Sequence, residues 1–233
     1  MAEKRVPVVI KISGSFMQPD KPEYVKGYAE VLLKLYEEEN YRPFVVVGGG
    51  RIARMYIDAA RKLGASESML DLLGIDVTRL NAHLLITALG DKALSYPPST
   101  VDELLIAKQD PLERIVVMGG LQPGQSTNAV SAVVAEIVGA KLIINATKVE
   151  GVFDSDPSKN KHAKLIKKLS VDDLGRILRA QSSQAGRYEL LDQPSLTIIQ
   201  RSRITLRVIN GHDPMNIIRV LKGEDIGTIV TPY

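Results

Sequence analysis

Lys11 closes the apolar run Val6 to Ile12 and is followed at once by Ser13, Gly14 and Ser15. An ammonium at the end of a buried-type strand can neutralise charge on a transferring phosphoryl group. It can equally be a surface lysine with an apolar stem, and the residue alone leaves both readings open. Two further apolar runs end in glycine: Phe44 to Val47 runs into Gly48, Gly49 and Gly50, and Ile115 to Met118 runs into Gly119 and Gly120, with Gly124 shortly after. Glycine lets backbone N–H groups approach an anion closely, whereas a single glycine after a strand is also what any tight turn needs. The recurrence of this arrangement points to a cradle for a polyphosphate.

Other nucleotide and hydrolase chemistries lack their residues. No G-x-x-x-x-G-K-[ST] run is present, and no G-x-G-x-x-G opens a helix. The protein-kinase motif set and G-x-S-x-G are missing too. The three histidines, His83, His162 and His212, are scattered, and His83 falls in an apolar helix where packing is the expected role. Cysteine is absent, which excludes disulfides, thiolate metal sites and cysteine nucleophiles. No metal-binding constellation is expected.

The elements that must hold these residues follow from periodicity. Val25, Tyr28, Leu32 and Leu35 recur at helical spacing within Tyr24 to Tyr36, and a second helix runs from about Arg51 to Leu63 and is stopped at Gly64. Ser66 to about Leu89 reads as a long helix with an apolar stripe of Leu70, Leu73, Val77, Leu80 and Leu84. A short helix precedes the Ile115 strand, Ser126 to Val138 is an Ala/Val-rich helix, and Leu142 to Ala146 is a fourth buried strand. Beyond Val152 the lysine-rich stretch Lys159 to Lys168 reads as an exposed loop or hairpin. Helices are expected at Val171 to Ala180, Gln193 to Arg201 and Pro214 to Lys222, with a polar turn at Gln181 to Gly186 and closing strands at Ile204 to Ile209 and Ile226 to Val230. Strands alternating with helices imply an α/β fold, a mainly parallel sheet covered on both faces.

The run Val9 to Ser15 together with Val47 to Arg54 resembles the amino-acid-kinase superfamily. Leu70 to Ile75, Thr78 to Ala82, Gly119 to Thr127, Thr147 to Phe153 and Gln184 to Gly186 resemble, in that order, the archaeal-type uridylate kinases. The resemblance implies a three-layer αβα sandwich without a P-loop, ATP and Mg2+ as cofactors, UMP as acceptor, UTP as feedback inhibitor and a homohexamer. It implies catalytic roles for Lys11 and Arg54, and ATP contacts at Gly14, Ser15, Gly50, Arg54, Thr147, Lys148, Phe153 and Asp156. UMP would meet Gly49, Asp71, Leu121, Gln122, Pro123, Gly124, Gln125, Ser126 and Thr127. Lys148 stands where the family places Asn or Asp after the threonine, and its side chain is long enough to reach a phosphate or to extend into solvent. One kinase domain is expected over 1–233, with residues 1–140 carrying the UMP side and 141–233 the ATP side.

Within the superfamily, isopentenyl phosphate kinases carry a histidine-bearing glycine loop and acetylglutamate kinases a histidine before the glycine run. Here Val47 precedes Gly48, and Arg51 to Arg54 follow Gly50. A non-catalytic nucleotide-binding protein of the same fold is the reading from another class, and Lys11 argues against it, because binding alone tolerates a neutral residue there. The 233 residues, 45% hydrophobic and 24% charged with a net charge of +3, suit a globular protein with a core of ordinary depth. No basic block with interleaved aromatics calls for nucleic acid. The apolar run near the N-terminus is too short for a signal or a membrane span, so a cytoplasmic location without membrane contact is expected.

Overall fold

The computed structural model describes residues 4–155, 157, 160–182 and 191–233. The expected turn at Gln181 to Gly186 and the ATP contact at Asp156 therefore lie wholly or partly outside the described residues.

Seven strands form one sheet in the order β3-β2-β1-β4-β8-β9-β7. They are β1 (Val6–Ile12), β2 (Tyr41–Val47), β3 (Val116–Met118), β4 (Leu142–Thr147), β7 (Lys168–Ser170), β8 (Thr205–Asn210) and β9 (Thr228–Thr231). β1, β2, β3, β4 and β8 run parallel, while β9 lies antiparallel to β8 and parallel to β7. β5 (Val152–Phe153) and β6 (Leu165–Ile166) make a separate antiparallel hairpin. The chain passes from β1 outward to β2 and β3, then returns to the other side of β1 as β4. The order reverses there, which makes the carboxyl edge between β1 and β4 the place where open α/β sheets bind ligands.

Eight α-helices cover the described fold: α1 (Pro22–Glu37), α2 (Gly50–Lys62), α3 (Glu67–Leu89), α4 (Val101–Lys108), α5 (Thr127–Val138), α6 (Val171–Ser182), α7 (Gln193–Arg201) and α8 (Asn216–Leu221). The two-residue period of β1 divides its side chains between two cores. Val8, Ile10 and Ile12 pack with Tyr28 and Leu32 of α1, Leu85 of α3 and Ile217 of α8. Val9 faces the opposite layer, with Leu104 of α4, Val134 of α5, Leu174 of α6 and Leu196 of α7. Lys11 shares the face of Val9, so the charge stands where the strand pattern calls for an apolar residue. Three layers result, helices on either side of a mainly parallel sheet.

Three readings change. Within α3, Leu80 is 65% exposed, and the buried positions are Leu70, Ile75, Val77, Thr78, Asn81, Ala82, Leu85, Ile86 and Leu89. The buried face includes two polar residues that bond neighbouring loops, and a stripe drawn through leucines alone misses it. His83 is exposed on the outer face of α3 rather than packed. In the lysine-rich stretch the expected hairpin forms between β5 and β6, but Lys168 also opens an unexpected edge strand, since Lys168–Ser170 pairs with Ile229, Val230 and Thr231. Alternating exposed and buried residues in so short an edge strand leave almost no periodic signal.

Helix α3 is long and apolar enough to cross a bilayer by length and composition. Its apolar face is spent on the protein core, where Leu70, Leu85 and Leu89 are each at most 3% exposed.

Candidate active site

At the carboxyl edge of β1 the chain turns through a single 3-10 turn, Gly14–Phe16. The N–H of Ser13 donates to the Ala146 carbonyl at 3.0 Å, and the N–H of Gly48 donates to the Ile12 carbonyl at 3.0 Å, so the ends of β1, β2 and β4 are tied together. A Cβ on Gly14 would collide with the Gly50 amide and the Gly48 carbonyl. Gly50 has φ +66°, the left-handed region that glycine adopts without strain, and it opens α2. The two glycine loops thus touch backbone to backbone, which no residue with a side chain would permit.

Together they border a cleft of about 680 Å³. Ser13, Gly14, Ser15, Gly48, Gly49 and Gly50 line it, and so do the side chains of Lys11, Arg54 and Lys148. Ser126, Thr127 and Asn128, at the start of α5, form another wall, and Ser126 Oγ caps that helix by accepting from the N–H groups of Asn128 and Ala129 at 3.1 Å each. Asn145 of β4, 1% exposed and in register with Lys11, donates Nδ2 to Asn128 Oδ1 at 3.4 Å. The far wall is Leu178, Arg179, Leu191, Asp192, Gln193 and Leu196. Among the described lining residues Lys11, Arg54, Lys148 and Arg179 are cations, against the single carboxylate of Asp192. That balance suits a polyanion.

Burial of Lys11 lowers its pKa to about 8, because desolvation disfavours the ammonium. Phosphate oxygens in the cleft would favour the ammonium and offset that penalty. No group of three His, Asp or Glu that could hold a metal ion is gathered among the described residues.

Of the expected contacts, Lys11, Gly14, Ser15, Gly49, Gly50, Arg54, Ser126, Thr127 and Lys148 meet in this one cleft. Thr147 does not line it. Its Oγ1 donates to the Val149 carbonyl at 3.1 Å and accepts from the Val149 N–H at 3.2 Å, shaping the turn after β4. Phe153 lies in the β5–β6 hairpin, away from the lining. Asp71 is exposed on α3, and its Oδ2 accepts from the Gly124 N–H at 2.8 Å, so it holds the loop from Leu121 to Gln125. Leu121, Gln122, Pro123, Gly124 and Gln125 are likewise outside the lining. Arg79 steadies the same loop through its Nη2, which donates to the Leu121 carbonyl at 3.3 Å.

Ser13 and Gly48, expected within the glycine loops though not as individual contacts, also line the cleft, whereas sequence reading missed Asn128, Arg179 and Asp192. The Leu191–Asp192–Gln193–Pro194 stretch carried a usable signal, an Asp before a helix start. Asp192 is indeed the N-cap of α7, its Oδ1 accepting from the Ser195 N–H at 3.3 Å. Nothing in that signal says the carboxylate also faces a cleft.

A mainly parallel α/β sheet with a cationic cleft at its switch point, built on glycine loops without a P-loop, defines a class of phosphate-binding folds. Residues 7–210 match the amino acid kinase family, and the chain belongs to that family. It is 52% identical over 225 residues to the uridylate kinase of Hyperthermus butylicus, covering 97% of this chain and 98% of that protein. To the uridylate kinase of Methanothermobacter thermautotrophicus it is 47% identical over 226 residues, covering 97% and 99%. The crystal structure of uridylate kinase from Archaeoglobus fulgidus superposes with a TM-score of 0.84 at 38% identity, covering 96% of this chain and 99% of that one.

Proposed function

We propose that this chain transfers the terminal phosphoryl group of ATP to UMP, giving UDP and ADP in pyrimidine nucleotide biosynthesis. The observation that carries this reading is Lys11 beside two interlocked glycine loops at the switch point, in a chain that matches archaeal uridylate kinases from end to end. Residues 141–233 would hold ATP and 1–140 UMP, the two meeting over β1 and β4. Lys11 and Arg54 then stabilise the transferring group, the N–H groups of Gly14 and Gly50 face the ATP phosphates, and Ser15, whose N–H donates to Ser13 Oγ at 3.4 Å, offers its hydroxyl to them. Gly49, Ser126 and Thr127 face UMP, and Asp71 acts there through the Leu121 to Gln125 loop as well as toward ribose hydroxyls. Lys148 extends toward the ATP phosphates. Bound magnesium would supply charge neutralisation on the ATP oxygens, and Asp192 is the carboxylate on the cleft wall that suits it.

The reading extends to UTP as a competitor of UMP, to an enzyme working in the cytoplasm and to a homohexamer. For assembly the supporting feature is the apolar surface that α2 and α3 leave uncovered, with Met55, Tyr56, Met69, Leu72 and Leu80 all exposed. ADP release from ATP, measured in parallel with UMP, CMP, dUMP, acetylglutamate and isopentenyl phosphate, tests the activity. UMP is expected to give the highest kcat/KM, and no turnover with any monophosphate would sink the assignment.

A further inference from the structure

An N–H group can face a phosphate only if the neighbouring carbonyls are turned elsewhere, because a carbonyl oxygen aimed at an anion repels it. Behind this cleft the loop carbonyls are held by two buried carboxamides. Gln18, 5% exposed, follows the 3-10 turn and donates Nε2 to the Gly14 carbonyl. Asn81 of α3, also 5% exposed, donates Nδ2 to the Gly48 carbonyl at 2.8 Å and the Gly49 carbonyl at 3.4 Å. Neither side chain lines the cleft, although Gly14, Gly48 and Gly49 do. The carbonyls therefore point into the protein while the loops border the cleft. Gln18 also fills the space beside Gly50, where a Cβ would meet its Nε2 and the Gly14 carbonyl.

We propose that Gln18 and Asn81 are positioning residues for phosphoryl transfer, clamping the carbonyls of Gly14, Gly48 and Gly49 on the interior side so that the loop amides face the phosphates. This rests on the reading of the cleft as the ATP and UMP site. A primary amide is suited to the task, since it donates without placing a full charge in the core. For stability alone an apolar side chain of similar length would serve as well at position 18. The one bond Gln18 donates is set against its own Oε1, which is buried and has no hydrogen-bond partner among the described residues. The two clamps act on opposite sides of the transfer. Gln18 supports the loop assigned to ATP, and Asn81 supports Gly48 and Gly49 toward the acceptor.

The test compares Gln18→Met, Gln18→Glu and Asn81→Leu with the parent in thermal midpoint, affinity for magnesium β,γ-imido-ATP, kcat, and KM for each substrate. Gln18→Met is expected to stay within about 3 °C of the parent midpoint, a shift worth about 1 kcal/mol in a chain of this size. Its affinity for imido-ATP and its kcat should each fall on the order of tenfold, below the loss of a direct donor because the amides remain present. Asn81→Leu should raise KM for UMP and lower kcat while imido-ATP affinity holds. In Gln18→Glu a buried carboxyl is protonated at low pH and can donate to the Gly14 carbonyl, so its rate relative to the parent should climb from pH 8 to pH 6. The proposal is overturned if Gln18→Met and Asn81→Leu keep kcat and both KM values within about twofold of the parent. It is overturned equally if losses follow the thermal midpoint and Gln18→Glu shows no recovery at low pH. Should the parent fail to use UMP, the acceptor assignment falls by itself. Imido-ATP affinity of Gln18→Met against the parent then decides the clamp, with equal affinity overturning it and weaker affinity sustaining it.

Discussion

Lys11 combines a cost and a function at one atom. On the Val9 face of β1 it is held among protein atoms, and its pKa of about 8 lies below the 10.5 of an unburied lysine. Below pH 8 the group is charged both folded and unfolded, so the desolvation penalty is fully present. Between about 8 and 10.5 the unfolded chain keeps the proton and the folded chain does not, so folded stability rises with pH across that window. The unliganded Lys11→Met variant should therefore be more stable than the parent at pH 7, and its advantage should shrink at pH 10. Denaturation midpoints of both proteins at the two pH values check this. If the proposed role in the transition state holds, Lys11→Ala should lower kcat on the order of a hundredfold, with KM for UMP little changed. Steady-state kinetics decide it, and a variant within about threefold of the parent rate would take Lys11 out of the mechanism. At Asp71 the carboxylate accepts from the Gly124 N–H, so Asp71→Asn should raise KM for UMP and leave KM for ATP unchanged. A rise in KM for ATP instead would mean the two halves of the cleft are assigned the wrong way round.

At the scale of elements, α3 acts as a rail for the loops of the proposed acceptor side. Asp71, Thr78, Arg79 and Asn81 bond to Gly124, Gly120, Leu121 and the Gly48–Gly49 carbonyls in turn. Their spacing along one helix fixes the loops after β2 and β3 relative to each other. A second device stands at the other end of the sheet. Arg42 of β2, 4% exposed, donates to the carbonyls of Ala107 and Lys108 at 2.8 and 2.7 Å and to the Arg114 carbonyl at 3.3 Å. Burial pushes its pKa down, while Glu113 and Asp110 nearby pull it up. Its charge complements the carbonyl end of α4 and lies 4.9 Å from the Phe44 ring centroid. Arg42→Leu leaves those carbonyls unpaired and should cost about 2–4 kcal/mol of stability. Urea unfolding measures the loss, and kcat at a temperature where the variant is folded should match the parent, since Arg42 is outside the cleft.

For the whole molecule, the uncovered apolar side chains of α2 and α3 matter most. Leu80 is 65% exposed on the outer face of the same helix whose inner face carries Thr78 and Asn81. Contact between copies there would brace the acceptor loops through α3. Leu80→Asp is expected to shift the assembly from a hexamer to smaller species in sedimentation velocity runs, and to raise KM for UMP in parallel. A parent that sediments as a monomer would remove both expectations.

The sequence by itself determined the alternation of strands and helices, the buried runs of β1, β2 and β4, the glycine loops and the odd charge at Lys11. Each is a local property, a two-residue or 3.6-residue period or a glycine at a sharp turn, and local periodicity is what side-chain geometry writes into a chain. It did not reveal β7, whose three residues are too few for a pattern, nor that Leu80 faces outward. The cleft's far wall was equally illegible, because Arg179 and Asp192 reach the site from chain positions far beyond the glycine loops. Only the tertiary structure decided that the loops after β1 and β2 touch through Gly14 and Gly50, and that Gln18 and Asn81 stand behind them. Contacts between residues such as Asn81 and Gly48 depend on how helices dock on the sheet, a packing outcome of the whole core that no window of sequence contains.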